Sequence, residues 1–325
     1  MNSERSSARS RPDMNNSIRI PDRLKRSTRR YFGDEGEAWL LGLPELVQQA
    51  AQRWQLDLGE PSHDAGAGFV CLARDGQDRS CVLKVAFPHD EHLSGVQAMR
   101  IYDGRGCVEI LDTAENDSQV LMERIVPGTQ LHELRDEAEE ARVVARVIRS
   151  LHRPPPTEHT LSPHSSWVDK ALRYIAASDI DESLLPARLV RTLEQTVSDL
   201  ESLHRPVVLH GDLHHENILS DDCQFQGNDG QRHWLAIDPK GLVGDPALDV
   251  GRYVQNKNQQ GPDQGARTQL RLDVLARELD EPLERLRAAA AVDVIICMGW
   301  ELEKPDIDAE DLSRRRDLAT IILGW

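Results

Sequence analysis

The chain is poor in aromatic residues, which fill 4% of its 325 positions, and it has no long apolar runs. No stretch approaches the roughly 18 consecutive apolar residues of a membrane-spanning helix, and no apolar segment sits near the start as a secretory signal would. Cysteine is scarce, odd in number and scattered (Cys71, Cys81, Cys107, Cys223, Cys297), with no Cys-x-x-Cys pair. That excludes a disulfide scaffold or a zinc ribbon and predicts a reducing, cytoplasmic setting. Repeats of solenoid period are missing too. Positive charge is in deficit: the net charge is −16, and because residues 1–30 carry +6 the remainder carries −22. Such an acidic body disfavours nucleic acid as a partner and favours small cations. The Arg/Ser-rich residues 1–30 read as a disordered basic tail, with order starting near Tyr31.

What the chain does have is a dense polar stretch, His210-Gly211-Asp212-Leu213-His214-His215-Glu216-Asn217, and an echo of it, Ile237-Asp238-Pro239. Val207-Val208-Leu209 before the first and Trp234-Leu235-Ala236-Ile237 before the second read as short buried strands. Carboxylates delivered at strand ends, with an Asn five residues after the first, are what phosphoryl transfer from a magnesium nucleotide needs. One Asp positions the attacking hydroxyl, while the Asn oxygen and the other Asp hold Mg²⁺. The spacing Asp212-x-x-x-x-Asn217 is that of the protein-kinase catalytic loop. Alone it says little, because Asp and Asn are common in turns; the following strand ending in Asp238 gives it weight. The rival reading is a metal hydrolase with His210, Asp212, His214 and His215 around Zn²⁺.

These two stretches, with Asp238-Pro239-Lys240-Gly241-Leu242-Val243-Gly244-Asp245-Pro246-Ala247-Leu248-Asp249, resemble the aminoglycoside phosphotransferase branch of the protein-kinase-like fold. Within it the chain is most similar to the streptomycin 6-phosphotransferase and hydroxyurea phosphotransferase subfamily, from about Leu43 to the C-terminus. The resemblance implies an α+β, bilobal fold. A small antiparallel-sheet N-lobe would span 31–124, and a larger, mostly helical C-lobe 125–325. It implies ATP and Mg²⁺ as cofactors and a cationic small molecule as acceptor, handled by a monomer or homodimer.

On that resemblance Asp212 is the group that takes the acceptor hydroxyl's proton, Asn217 and Asp238 are the metal ligands, and Asp249 anchors the loop. Lys84, in the strand Cys81-Val82-Leu83-Lys84-Val85-Ala86, would bind the α- and β-phosphates; a lone cation there is otherwise costly to bury. Gly66 and Gly68 either cover the triphosphate or merely close a hairpin. Met122, Glu123 and Ile125 would form the hinge against the purine, and Lys240 would neutralise the transferred phosphoryl or pair with a carboxylate. Trp300 and Glu301 would line the acceptor site, unless they are a solvated helix end. The pattern is broken at one point: Gly95 stands where the lysine's helix Glu is expected, with Glu91 one turn earlier as a substitute.

For local structure, a helix is predicted with Pro44 at its first position and Leu46, Val47, Ala50, Ala51 and Trp54 on one face. Hairpin strands are predicted at 69–74 and 80–87 and at 108–112 and 118–124, and helices at 136–152, from Ser166 with a capping box, after Pro186, at 270–279 and at 283–300. Residues 255–268 read as a mobile loop. The leading function is ATP-dependent O-phosphorylation of a streptomycin-type aminoglycoside, as in antibiotic resistance. The alternatives are a kinase of hydroxyurea or another small neutral acceptor, and a catalytically silent nucleotide-binding module.

Overall fold

The computed structural model describes residues 18–201, 205–222, 233–257, 262–304 and 306–324. They fall into two units, Met1–Phe87 and Pro88–Trp325. In the first, α1 (Asp22–Arg53) turns its buried residues Leu24, Leu40, Leu43, Val47 and Ala50 onto an antiparallel meander. The meander is β1 (Asp57–Pro61), β2 (Phe69–Arg74) and β3 (Ser80–Val85). Cys81, Leu83 and Val85 of β3 are buried, so the period of two puts Lys84 on the opposite, half-buried face, across from Val70.

Two predictions are corrected in α1. Helix starts at Asp22, before Tyr31, because Leu24 and Thr28 are buried, and it is broken by a kink at Gly33 (φ 52°) before resuming to Arg53; the rest of the predicted tail, residues 1–17, lies outside the described residues. Pro44 sits inside α1, not at its start. The lost hydrogen bond and ring clash cost about 3 kcal/mol. Burial of Leu43 and Val47 on either side, both fully enclosed, offsets that at roughly 2 kcal/mol each.

The second unit opens with α2 (Asp90–Tyr102), the hairpin β4 (Ile110–Ala114) and β5 (Gln119–Glu123), then β6 (Pro127–Gln130) and α3 (Glu137–Leu151). β7 (Ser162–Pro163), α4 (Ser165–Ala177), α5 (Ala187–Glu201), β8 (Val207–Leu209), β9 (Ile218–Asp221), β10 (His233–Ala236) and β11 (Leu242–Gly244) follow. Helices α6 (Gly251–Gln255), α7 (Gln264–Leu279), α8 (Leu283–Leu302) and α9 (Ala309–Leu323) close the chain. The predicted loop at 255–268 is therefore partly helix from Gln264; residues 258–261 lie outside the described residues. The predicted capping box of α4 is absent: no side chain caps its start, and Ser166 Oγ instead donates to Pro163 O. No prediction covered α9, whose start is signalled by Asp308 accepting from the N–H groups of Glu310 and Asp311.

Strand pairing sets the site. β8 pairs with β11, Leu209 opposite Leu242, and β9 pairs with β10, Ile218 opposite Ala236. The loops 210–217 and 237–241 each run from one pair to the other, so they lie side by side. α8 is buried without a break from Ala289 to Gly299, a helix apolar nearly all round and hence a core helix. Asp293 is the one charged residue in that run. Among the described residues no helix is long and apolar enough to cross a membrane.

Candidate active site

Asp249 organises the first loop. Its buried carboxylate accepts from the N–H of His210 (3.0 Å) and of Gly211 (2.8 Å), and from His152 Nε2 (2.9 Å). Burial alone would raise its pKa, but the His152 and backbone hydrogen bonds hold it below the ordinary carboxylate value. His210, fully enclosed, ties the two loops together: Nε2 donates to Ile237 O at 2.9 Å and Nδ1 accepts from Asp212 N at 3.2 Å. Those partners assign the neutral Nε2–H tautomer, and burial pushes the ring's pKa down. Further rungs run from Lys240 N to His210 O (2.7 Å) and from Ile237 N to Asn217 O (2.9 Å).

On this frame Asn217 Nδ2 donates to Asp212 O at 2.9 Å, which leaves the amide oxygen as the branch available to a cation. Asp238, two residues after β10, takes a positive φ of 55°, a conformation Asp tolerates better than most residues. The zinc reading fails here. The His210 ring is occupied by backbone groups, and among the described residues no group of three or more His, Cys, Asp or Glu is placed to hold a metal ion. His215 is buried beside Glu140 at 3.2 Å, and His214 lies between Asp212 (3.6 Å) and Glu216 (2.9 Å).

Asp212 is reached by a residue absent from the sequence-predicted set. Arg252 Nε lies 3.3 Å from Asp212 Oδ1 and 3.5 Å from Asp293 Oδ1, and its guanidinium rests 4.5 Å from the Trp300 ring centroid. Burial raises the Asp212 carboxyl, but His214 and Arg252 outweigh it and leave the pKa below its ordinary value. A signal for Arg252 is present in Gly251 before it: a Cβ there would sit 2.4 Å from Asp293 Cβ, so glycine lets α6 meet α8.

α2 abuts the second loop backbone to backbone. A Cβ on Gly95 would fall 2.3 Å from Pro239 O, and one on Gly241, at φ 68°, 2.2 Å from Ser94 O. The expected helix Glu cannot occupy position 95 in this packing. Glu91 lies one turn earlier and pairs with Lys240 Nζ at 2.9 Å. Burial lowers the Lys240 pKa, yet Asp238, Glu91 and Asp212 together raise it above the usual lysine value.

The remaining predicted residues are placed as follows. Lys84 is on β3 of the first unit, and Gly66 and Gly68 precede β2 there, Ser27 Oγ donating to Gly66 O. Met122 and Ile125 are buried, and the Glu123 N–H donates to Glu109 O at 3.1 Å. Glu301 is buried, and its carboxylate accepts from Lys304 Nζ and from Asp308 N, capping the connection from α8 to α9. Trp300 is engaged with Arg252 and, edge-on at 5.1 Å, with Trp167.

Residues 53–303 match the family described as aminoglycoside/hydroxyurea antibiotic resistance kinase. The chain belongs to that family. This resistance kinase is 31% identical to a streptomycin 6-kinase of Streptomyces griseus, over 88% of each chain. It is 28% identical to a hydroxyurea phosphotransferase of Kitasatospora aureofaciens, over 94% of this chain and 86% of the relative. A solved aminoglycoside phosphotransferase in ternary complex with ADP and hygromycin B superposes with a TM-score of 0.58 at 16% identity, covering 85% of this chain and 97% of that one. The fold is thus the α+β protein-kinase-like one, and the chain is a phosphotransferase acting on a hydroxyl group.

Proposed function

We propose that this phosphotransferase moves the γ-phosphoryl of Mg·ATP to a hydroxyl of a streptomycin-type aminoglycoside. The observation that supports the reading is the cross-bracing of the loops 210–217 and 237–241, which carry Asp212, Asn217 and Asp238, through His210 Nε2 to Ile237 O and the backbone rungs between them. Asp212 would orient the acceptor hydroxyl and accept its proton late, as a loose transition state requires. Two hard oxygens, Asn217 Oδ1 and an Asp238 carboxylate oxygen, fit Mg²⁺, which keeps several waters and takes its other ligands from phosphates. Bound there, Mg²⁺ would supply charge neutralisation on the triphosphate. Lys240, with Glu91 against its ammonium, would face the charge on the transferred group. Lys84 would hold the α/β-phosphates, under the backbone of Gly66 and Gly68. Met122 and Ile125 would wall the purine, with Glu123's carbonyl toward its edge.

A second reading, a hydroxyurea-type neutral acceptor, is favoured by one observation: the Glu301 carboxylate is paired within the protein and does not provide a free acidic wall. Trp300 would then serve as an apolar acceptor wall in either case. The test is phosphate transfer from radiolabelled ATP to streptomycin and to hydroxyurea, with mass analysis of the product. Labelled streptomycin carrying one phosphate supports the leading reading, labelled hydroxyurea alone the second, and nucleotide binding with no transfer to either contradicts both.

A further inference from the structure

Arg252 presents an unusual combination. It is a nearly buried cation whose side chain is 13% exposed, set between the carboxylates of Asp212 (3.3 Å) and Asp293 (3.5 Å), with its guanidinium carbon 4.5 Å from the Trp300 ring centroid. Asp293 is the one charge in the buried run of the core helix α8, and it is braced in turn by Gln255, which accepts from Arg315 Nη1 at 3.1 Å. Burying that carboxylate in the centre of a unit is costly unless a fixed cation answers it. A lysine could supply the charge, but the extended, delocalised guanidinium can face two carboxylates and an indole ring at once.

We propose that Arg252 is the positioning residue for Asp212. Beside Trp300 and Asp293, it sets a fixed positive charge 3.3 Å from Asp212 Oδ1, while His214 Nε2 lies 3.6 Å from Oδ2, so that the carboxylate keeps one orientation toward the acceptor hydroxyl. The inference rests on the reading of Asp212 as the group that receives the hydroxyl proton. The chemistry needs one carboxylate oxygen aimed at the hydroxyl, and a carboxylate free to rotate about its Cβ–Cγ bond presents neither oxygen reliably. A side chain set beside each oxygen removes that freedom without touching the nucleotide. The expected signature is a loss in turnover with nucleotide affinity kept, since a misplaced catalytic group costs about 10²-fold in rate.

The test compares the purified full chain with four variants: Arg252→Lys, Arg252→Gln, the charge-balanced double Arg252→Gln/Asp293→Asn, and Asp212→Ala. Transfer to streptomycin and hydroxyurea, and failing both the slow transfer to water, is measured beside ATP affinity by calorimetry. Arg252→Gln should lose about a hundredfold in kcat with ATP affinity within about twofold of wild type. Arg252→Lys should recover part of that loss, and millimolar guanidinium should raise the turnover of Arg252→Gln and leave Asp212→Ala silent. The double variant removes the buried Asp293 charge together with its cation, so it should fold where Arg252→Gln does not, and it should show the same turnover loss. A double variant that folds and turns over within threefold of wild type overturns the proposal, as does a loss carried wholly by nucleotide affinity. An active Asp212→Ala protein would instead overturn the site assignment on which the proposal stands, and the two failures are thereby told apart.

Discussion

Asp249 carries more of the local geometry than any residue that would meet substrate. Its carboxylate is the acceptor for two loop N–H groups and for His152, all inside the protein. Asn at this position offers one acceptor oxygen and turns an amide donor toward a donor. Asp249→Asn should therefore cost about 3 kcal/mol, read as a lower urea midpoint. The pH dependence has a definite sign. The folded pKa lies below that of the unfolded chain, so the contribution is complete above about pH 4 and disappears as pH falls through the folded value. Wild type should lose stability more steeply than Asp249→Asn below that pH. His164 gives a second window: burial pushes its pKa from 6.5 to about 4. It folds as the neutral ring, so its contribution is complete above the unfolded value and is lost as pH falls from 6.5 toward 4. His164→Gln should flatten the denaturation midpoint across that interval.

At the scale of elements, the contact of α2 with the loop 237–241 is the tightest backbone approach near the site. Gly95→Ala puts a methyl into Pro239 O and should destabilise by roughly 1–3 kcal/mol, as overpacking does. It should also reduce turnover, because Pro239 follows Asp238; differential scanning calorimetry and a kinase assay check both. The strands that lead into the two loops were readable from sequence because short apolar runs before a polar, Asp-bearing stretch carry their own pattern; β9 and β11, which lead out of them, were not predicted. Asp249 as the loop anchor was readable from the resemblance. The substitution of Gly95 for a Glu was visible, but its reason was not: it lies in a carbonyl more than a hundred residues away in the chain. Arg252 was missed for the same cause, since an Arg in a short polar helix reads as solvated until α8 brings Asp293 against it. Glu301 is buried, which corrects the alternative of a solvated helix end. Its neighbours Lys304 and Asp308 were in plain view, yet only the turn between α8 and α9 folds them back onto its carboxylate.

For the whole molecule, charge is the property that separates the acceptor classes. The net charge of −16 places any cationic acceptor in an attractive field that salt screens over about 8 Å at physiological ionic strength. If streptomycin is the acceptor, its KM should rise several-fold between low and high salt while the KM for hydroxyurea stays level; initial rates across a salt series decide this.

The central claim is that the Asp212 carboxylate receives the acceptor's proton, and the most direct measurement is kcat for Asp212→Asn beside its affinity for Mg·ATP. Asn keeps the shape and cannot take the proton. Turnover lower by about 10³-fold, with nucleotide binding unchanged, is the predicted result; turnover within tenfold of wild type would contradict the account.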